Sequence, residues 1–148
     1  MLISDKVNFK TKTIRRNKEG HYIMTKRSIQ QQNITNVNIY APNARAPRYI
    51  KQTLLKLKWE IGTNTIIAGD SNTTLSALDR YSRQKNKEIL NLIYTIDQMN
   101  LIDIYRTFHP TVSEYTFFSS AHGLFSKADH MLGHKISLKT FFKTPKIY

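Results

Sequence analysis

The chain contains no cysteine. That excludes disulfides, thiolate metal sites and a cysteine nucleophile, and it is consistent with a reducing compartment. Acid is scarce: ten Asp and Glu stand against 23 Lys and Arg, for a formal net charge of +13 and a pI near 10.0. Five glycines and four prolines are too few for a disordered or low-complexity chain. No apolar run approaches the roughly 18 residues of a membrane span. The opening, MLISDKVNFK, has no basic region followed by an apolar core, so no signal peptide is expected. What is present is a globular composition, 40% apolar over 148 residues, enough for one domain with a real core.

The charge narrows the class of partner. A single domain this basic points to a polyanion, most often nucleic acid. The blander alternative is a basic surface kept for solubility or reflecting lysine-rich coding. The distribution is uneven. Lys10, Lys12, Arg15, Arg16 and Lys18 crowd one segment, and after Asp129 no acid occurs while Lys135, Lys139, Lys143 and Lys146 follow.

Apolar periodicity sets out an order of elements. Segments around Thr11–Arg15, His21–Lys26 and Ile34–Tyr40 are β-compatible, with a hairpin turn expected at Gly20. Pro47 suits the first turn of a helix; Ile50, Leu54, Leu57 and Ile61 recur at helical spacing, and Gly62 is the expected stop. The run Thr65-Ile66-Ile67-Ala68-Gly69-Asp70 reads as a strand apolar on both faces, inside a covered sheet. A polar loop from Ser71 to about Lys85 precedes a second helix, Asn86 to Met99, with Ile89, Leu92, Ile93, Ile96 and Met99 on one face. Three further strands are expected: Leu101–Tyr105, Tyr115–Ser119 and Lys127–Leu132. Strands alternating with helices indicate a layered α/β domain.

In such folds, reactive groups gather at the carboxyl ends of strands. Asp70 and Asn72 lie at one such end: a carboxylate can take a proton from water or meet a cation, and an amide can donate to a phosphate oxygen without adding negative charge. Tyr40 closes another strand, where its phenol would reach a phosphate. A Gly-Asp pair at a strand end is also a common turn, so these residues alone do not decide the matter.

Four motifs in order do more. Asn38-Ile39-Tyr40-Ala41-Pro42-Asn43, Gly69-Asp70-Ser71-Asn72, Tyr115-Thr116-Phe117-Phe118-Ser119 and Ser126-Lys127-Ala128-Asp129-His130, together with NKEGHYI and LIDIYRT, resemble the endonuclease domain of LINE-type (non-LTR) retrotransposons. That domain is a branch of the endonuclease/exonuclease/phosphatase superfamily, related to apurinic/apyrimidinic endonucleases. A phosphatase of the same superfamily is the weaker match. The resemblance implies an α/β fold, a partial four-layered sandwich in one domain over 1–148, and a DNA endonuclease that nicks its target with Mg²⁺ to prime reverse transcription. It implies an intracellular protein, nuclear if the family role holds, with DNA as partner.

By the same resemblance, Tyr40 would hydrogen-bond the scissile phosphate and Asn43 would shape that pocket. Asp70 would orient or deprotonate the attacking water, Asn72 would position the phosphate, and Asp129 would orient a histidine. Ser119 to Ser126 and Lys127 would form a hairpin probing the minor groove, with Thr116 near the DNA backbone at its base. The family's metal-binding glutamate and its C-terminal SDH histidine have no counterpart motif in these 148 residues, so no metal ligand is assigned. Ser71 and Ala128 stand where the family carries bulkier residues. The expectation is a truncated domain, impaired or inactive as this chain; the alternative is a non-catalytic nucleic-acid-binding remnant of a decayed retroelement. Each histidine is expected to be structural or superficial, and His130 is not expected to pair with its neighbour Asp129, because adjacent strand residues face opposite ways.

Overall fold

The computed structural model describes residues 9–29, 31–75, 87–111, 117–119, 124–126 and 129–137. Three strands open the fold: β1 (Phe9–Arg16), β2 (Tyr22–Ile29) and β3 (Gln32–Ile39), each antiparallel to the next. The β1–β2 turn closes at Gly20, whose φ of 73° a side chain rarely tolerates. Asn17 organises that turn, its Oδ1 accepting from the backbone N–H groups of His21 (2.7 Å) and Tyr22 (3.2 Å). Along β2, Tyr22 and Met24 are buried and Ile23 is exposed, the two-residue alternation of a strand covered on one side.

Helix α1 (Ala46–Lys56) follows with proline in its first turn and buries Ile50, Thr53 and Leu54. It stops before Gly62, the expected terminus. Leu57 is its C-cap, and backbone bonds from Lys58 to Leu55 and from Glu60 to Leu57 tighten the chain into a turn. Such i→i+3 bonding satisfies the carbonyls a helix end leaves free. Ile61 still packs against the core, so its apolar spacing reports burial and not helix. Strand β4 (Thr65–Asp70) lies parallel to β3. Helix α2 (Lys87–Gln98) buries Ile89, Leu92 and Ile96, as its periodicity requires.

Next come β5 (Leu101–Asp103) and a short helix α3 (Ile104–Phe108), where the sequence suggests a strand to Tyr105. The reason is local: Asp103 is an N-cap, its side chain accepting from the backbone N–H of Arg106 at 3.1 Å. Strands β6 (Phe117–Ser119) and β7 (Leu124–Ser126) pair antiparallel in a separate two-stranded ribbon. Strand β8 (Asp129–His134) returns between β4 and β5, antiparallel to both.

The main sheet has the order β1-β2-β3-β4-β8-β5. One face carries α1 and α2 and holds the core, in which Met24, Val37, Leu54, Leu57, Leu92 and Leu101 are fully buried. Each of the four fully buried leucines contributes about 1.5–3 kcal/mol of burial. The other face is different. Ile23, Ile66 and Met131 are 37%, 39% and 46% exposed, so β4 is not apolar on two covered faces among the described residues. No helix among the described residues is long and apolar enough to cross a membrane.

Candidate active site

The parallel pair β3–β4 ends where its two following loops meet, and the backbone joins them: the N–H of Ala41 donates to the carbonyl of Asp70 at 2.9 Å. Gly69 makes this junction possible. Its φ is 132°, and the Ile39 carbonyl and Asn38 side chain occupy the space a side chain would need. Asn72 then turns the chain at φ 46°, its N–H donating to Oδ1 of Asp70 at 3.0 Å. Its side-chain amide donates to the carbonyl of Ala41 at 2.6 Å, a second tie between the loops.

Strand β8 brings the second carboxylate. Asp129 lies directly opposite Asp70 in the β4–β8 ladder, on the open face of the sheet. Like charges in directly opposed positions are unfavourable to one another. Tyr40 follows β3 at the same end with its side chain 57% exposed, while its N–H is held by the carbonyl of His21 at 2.7 Å. Tyr40, Asp70, Asn72 and Asp129 therefore converge at one end of the sheet. Asn43 lies exposed in the β3–α1 loop. Ser119 and Ser126 lie on β6 and β7, each paired through the backbone, with Leu124 and Phe117 respectively. Thr116 and Lys127 fall outside the described residues.

His130, which the sequence marks only as a structural or superficial histidine, sits beside this end. His130 is 7% exposed and faces away from Asp129, as strand alternation demands. Its Nδ1 lies 2.9 Å from Oδ2 of Asp103, and its Nε2 lies 3.0 Å from the carbonyl oxygen of Thr73. A carboxylate and a carbonyl both accept, so each ring nitrogen of His130 faces an acceptor oxygen. His130 thus fastens the loop after Asn72 to β8 and, through Asp103, to the start of α3. It is a positioning residue. Its partner is 27 positions upstream, a separation no local pattern signals.

No group of three or more His, Cys, Asp or Glu converges among the described residues, so they do not form an all-protein cage for a divalent ion. Asp70 and Asp129 are hard oxygen donors of the kind Mg²⁺ takes when substrate phosphate and water complete its shell.

An exposed apolar groove of about 620 Å³ runs beside the two aspartates, lined by Ala68, Ile104, Phe108 and Met131 among others. At its edge the rings of Tyr105 and His109 stack, centroids 4.6 Å apart.

The described residues form a mixed α/β sheet with helices on one face and an acidic, amide-bearing strand end, a fold that solved structures share. The endonuclease domain of TRAS1, a telomere-specific non-LTR retrotransposon, superposes with a TM-score of 0.67 at 12% identity over 93% of this chain and 60% of its own. An AP endonuclease from Archaeoglobus fulgidus gives 0.64 at 19% identity, over 83% of this chain and 58% of that one. The catalytic domain of Xenopus laevis APE2 gives 0.55 at 19% identity, over 81% and 48%. The chain thus spans about three-fifths of the length of the first two. No family model matches the sequence.

Proposed function

We propose that this chain carries the phosphodiester-binding half of a DNA endonuclease site, of the kind that nicks target DNA for retrotransposon insertion. The observation that carries the reading is the Asp70–Asp129 pair, set at the strand ends beside Tyr40 in a chain with +13 net charge. In a domain this short of acid, two carboxylates set opposite one another in a ladder are an arrangement that a function explains.

In this reading Asp70, held by the Asn72 N–H, orients the attacking water. Tyr40 donates its phenolic proton to a phosphate oxygen, and Asn43 borders the same pocket. The phosphodiester gains negative charge in its transition state, so donors and cations must surround it. Asp70 and Asp129 are the residues that would hold Mg²⁺, which would supply stabilisation of the charge developing on the leaving oxygen. Ser119, Ser126 and Lys127, with Thr116, would follow the groove of the duplex. The basic surface supplies affinity through release of DNA counterions. Such a protein would act in the nucleus.

A second reading is a nucleic-acid-binding chain without catalysis. The observation favouring it is the Asn72 amide, which already donates to Ala41 and has one N–H left for a phosphate.

Nicking of supercoiled plasmid by the purified chain, in Mg²⁺ and in EDTA, separates the two. The endonuclease reading expects metal-dependent nicking that Asp70→Asn and Asn72→Ala both abolish. A folded chain that binds plasmid and never nicks it leaves the binding reading.

A further inference from the structure

The end of β1, the β1–β2 turn and the Tyr49 to Lys56 stretch of α1 line a cleft of about 470 Å³. Arg15, Arg16 and Lys18 from the turn, Tyr49 and Lys56 from α1, and the single acid Glu19 line it. Arg15 is engaged by Glu60, and Lys26 shares that carboxylate at 3.6 Å. Arg16, Lys18 and Lys56 form no ion pair with any described residue. Lys56 is held over the Tyr22 ring, 5.9 Å from its centroid, which keeps its ammonium at the cleft wall. The cleft therefore concentrates positive charge inside a concavity, where low-dielectric walls strengthen the field.

Position adds a second argument. The turn lies at the same end of the sheet as Asp70, since β1 ends, β2 begins and both β3 and β4 end there. Tyr40 is hydrogen-bonded directly to His21 of the turn. From β2 to β4 is two strand spacings, about 10 Å. The cleft opens on the helix-covered side, where Tyr22 and α1 lie, so a backbone that reaches both Asp70 and the cleft passes round this end of the sheet.

We propose that the cleft between the β1–β2 turn and α1 is a phosphate subsite that holds a nucleic-acid backbone to one side of the Asp70 centre. It rests on the endonuclease reading for the identity of the polymer, and on its own lining for the anion. Arg16, Lys18 and Lys56 supply the charge. Tyr49 supplies a neutral donor: its Oη accepts from Asn17 Nδ2 at 3.4 Å. Burial pushes its phenol above the usual tyrosine range, against the opposing hydrogen bond with Thr53, so it keeps its proton.

The test is binding of a fluorescently labelled DNA duplex in EDTA, followed by anisotropy over a series of NaCl concentrations. Lys18→Glu and Lys56→Glu are compared with Lys51→Glu and Lys58→Glu, which change net charge equally but lie outside the cleft lining; circular dichroism verifies that each is folded. The cleft variants are expected to lose about tenfold in affinity and about one unit of slope in log K against log salt, the outside pair much less. Equal losses in both pairs, no loss in either, or no binding by the unaltered chain overturns the subsite. So does displacement of the duplex by inorganic phosphate at matched ionic strength, which would make the cleft a small-anion site. Because the readout is binding without metal, absence of nicking would sink the endonuclease reading and leave this contrast standing.

Discussion

A Cβ built on Gly69 would lie 2.1 Å from the carbonyl oxygen of Ile39 and 2.6 Å from Oδ1 of Asn38. The first of these atoms is backbone and cannot swing aside, so β3 and β4 would have to part at the point where they present Tyr40 and Asp70. The φ of 132° adds strain for any side chain. Gly69→Ala is therefore expected to cost more than about 3 kcal/mol, against less than about 0.5 kcal/mol for Gly62→Ala, where nothing lies within 4 Å. Urea denaturation of the two variants measures the difference; equal stabilities would mean that the close approach does not exist. The sequence marks Gly69 only as half of a turn-like Gly-Asp pair. The contact that makes it irreplaceable comes from residues 30 positions earlier, out of reach of any local rule. His130 was illegible for the same reason: strand alternation correctly separates it from Asp129, but its partners, Asp103 and Thr73, are placed by the sheet.

At the scale of elements, the β4–β8 ladder puts Asp70 and Asp129 face to face. Asp70→Asn keeps the side-chain oxygen that accepts from the Asn72 N–H and removes one of the two opposed charges. The expected outcome is a gain of about 0.2–1 kcal/mol. For a domain of this size that corresponds to roughly 1–4 °C in Tm. Thermal denaturation in EDTA measures it, and a lowered Tm would show that the opposed carboxylates do not repel. Element identity was otherwise mostly legible. The alternation in β2 and the apolar stripe of α2 each carry one period over enough residues to be read, and TIIAGD reads as a strand from its unbroken apolar run. The errors fall at ends. Ile61 continued a helical spacing that the chain meets with a turn, and the apolar run Leu101-Ile102-Asp103-Ile104-Tyr105 hid an N-cap in its middle. In both places a hydrogen bond to a single residue outweighed the pattern around it.

The whole molecule is, in its described part, a sheet with helices on one side. Read alone, Thr65-Ile66-Ile67-Ala68 predicts a strand buried on both faces, because neighbouring residues are apolar whichever way they point. The structure divides them: Ile67 is 3% exposed and packs under the helices, whereas Ile66 is 39% exposed on the open face. What the sequence registers here is a strand suited to two covers, and solved structures of this fold extend well past the part this chain matches. The two isoleucines therefore measure how many covers are present. Ile67→Ala is expected to cost about 2–5 kcal/mol, the range for truncating a packed core side chain. Ile66→Ala is expected to cost under about 1 kcal/mol, since it deletes methyls already in contact with water. Chemical denaturation of both variants gives the ratio. If Ile66→Ala proved as damaging as Ile67→Ala, the open face would be covered in solution. Asp70 and Asp129, which share that face, would then lie under a second layer and reach solvent at its rim.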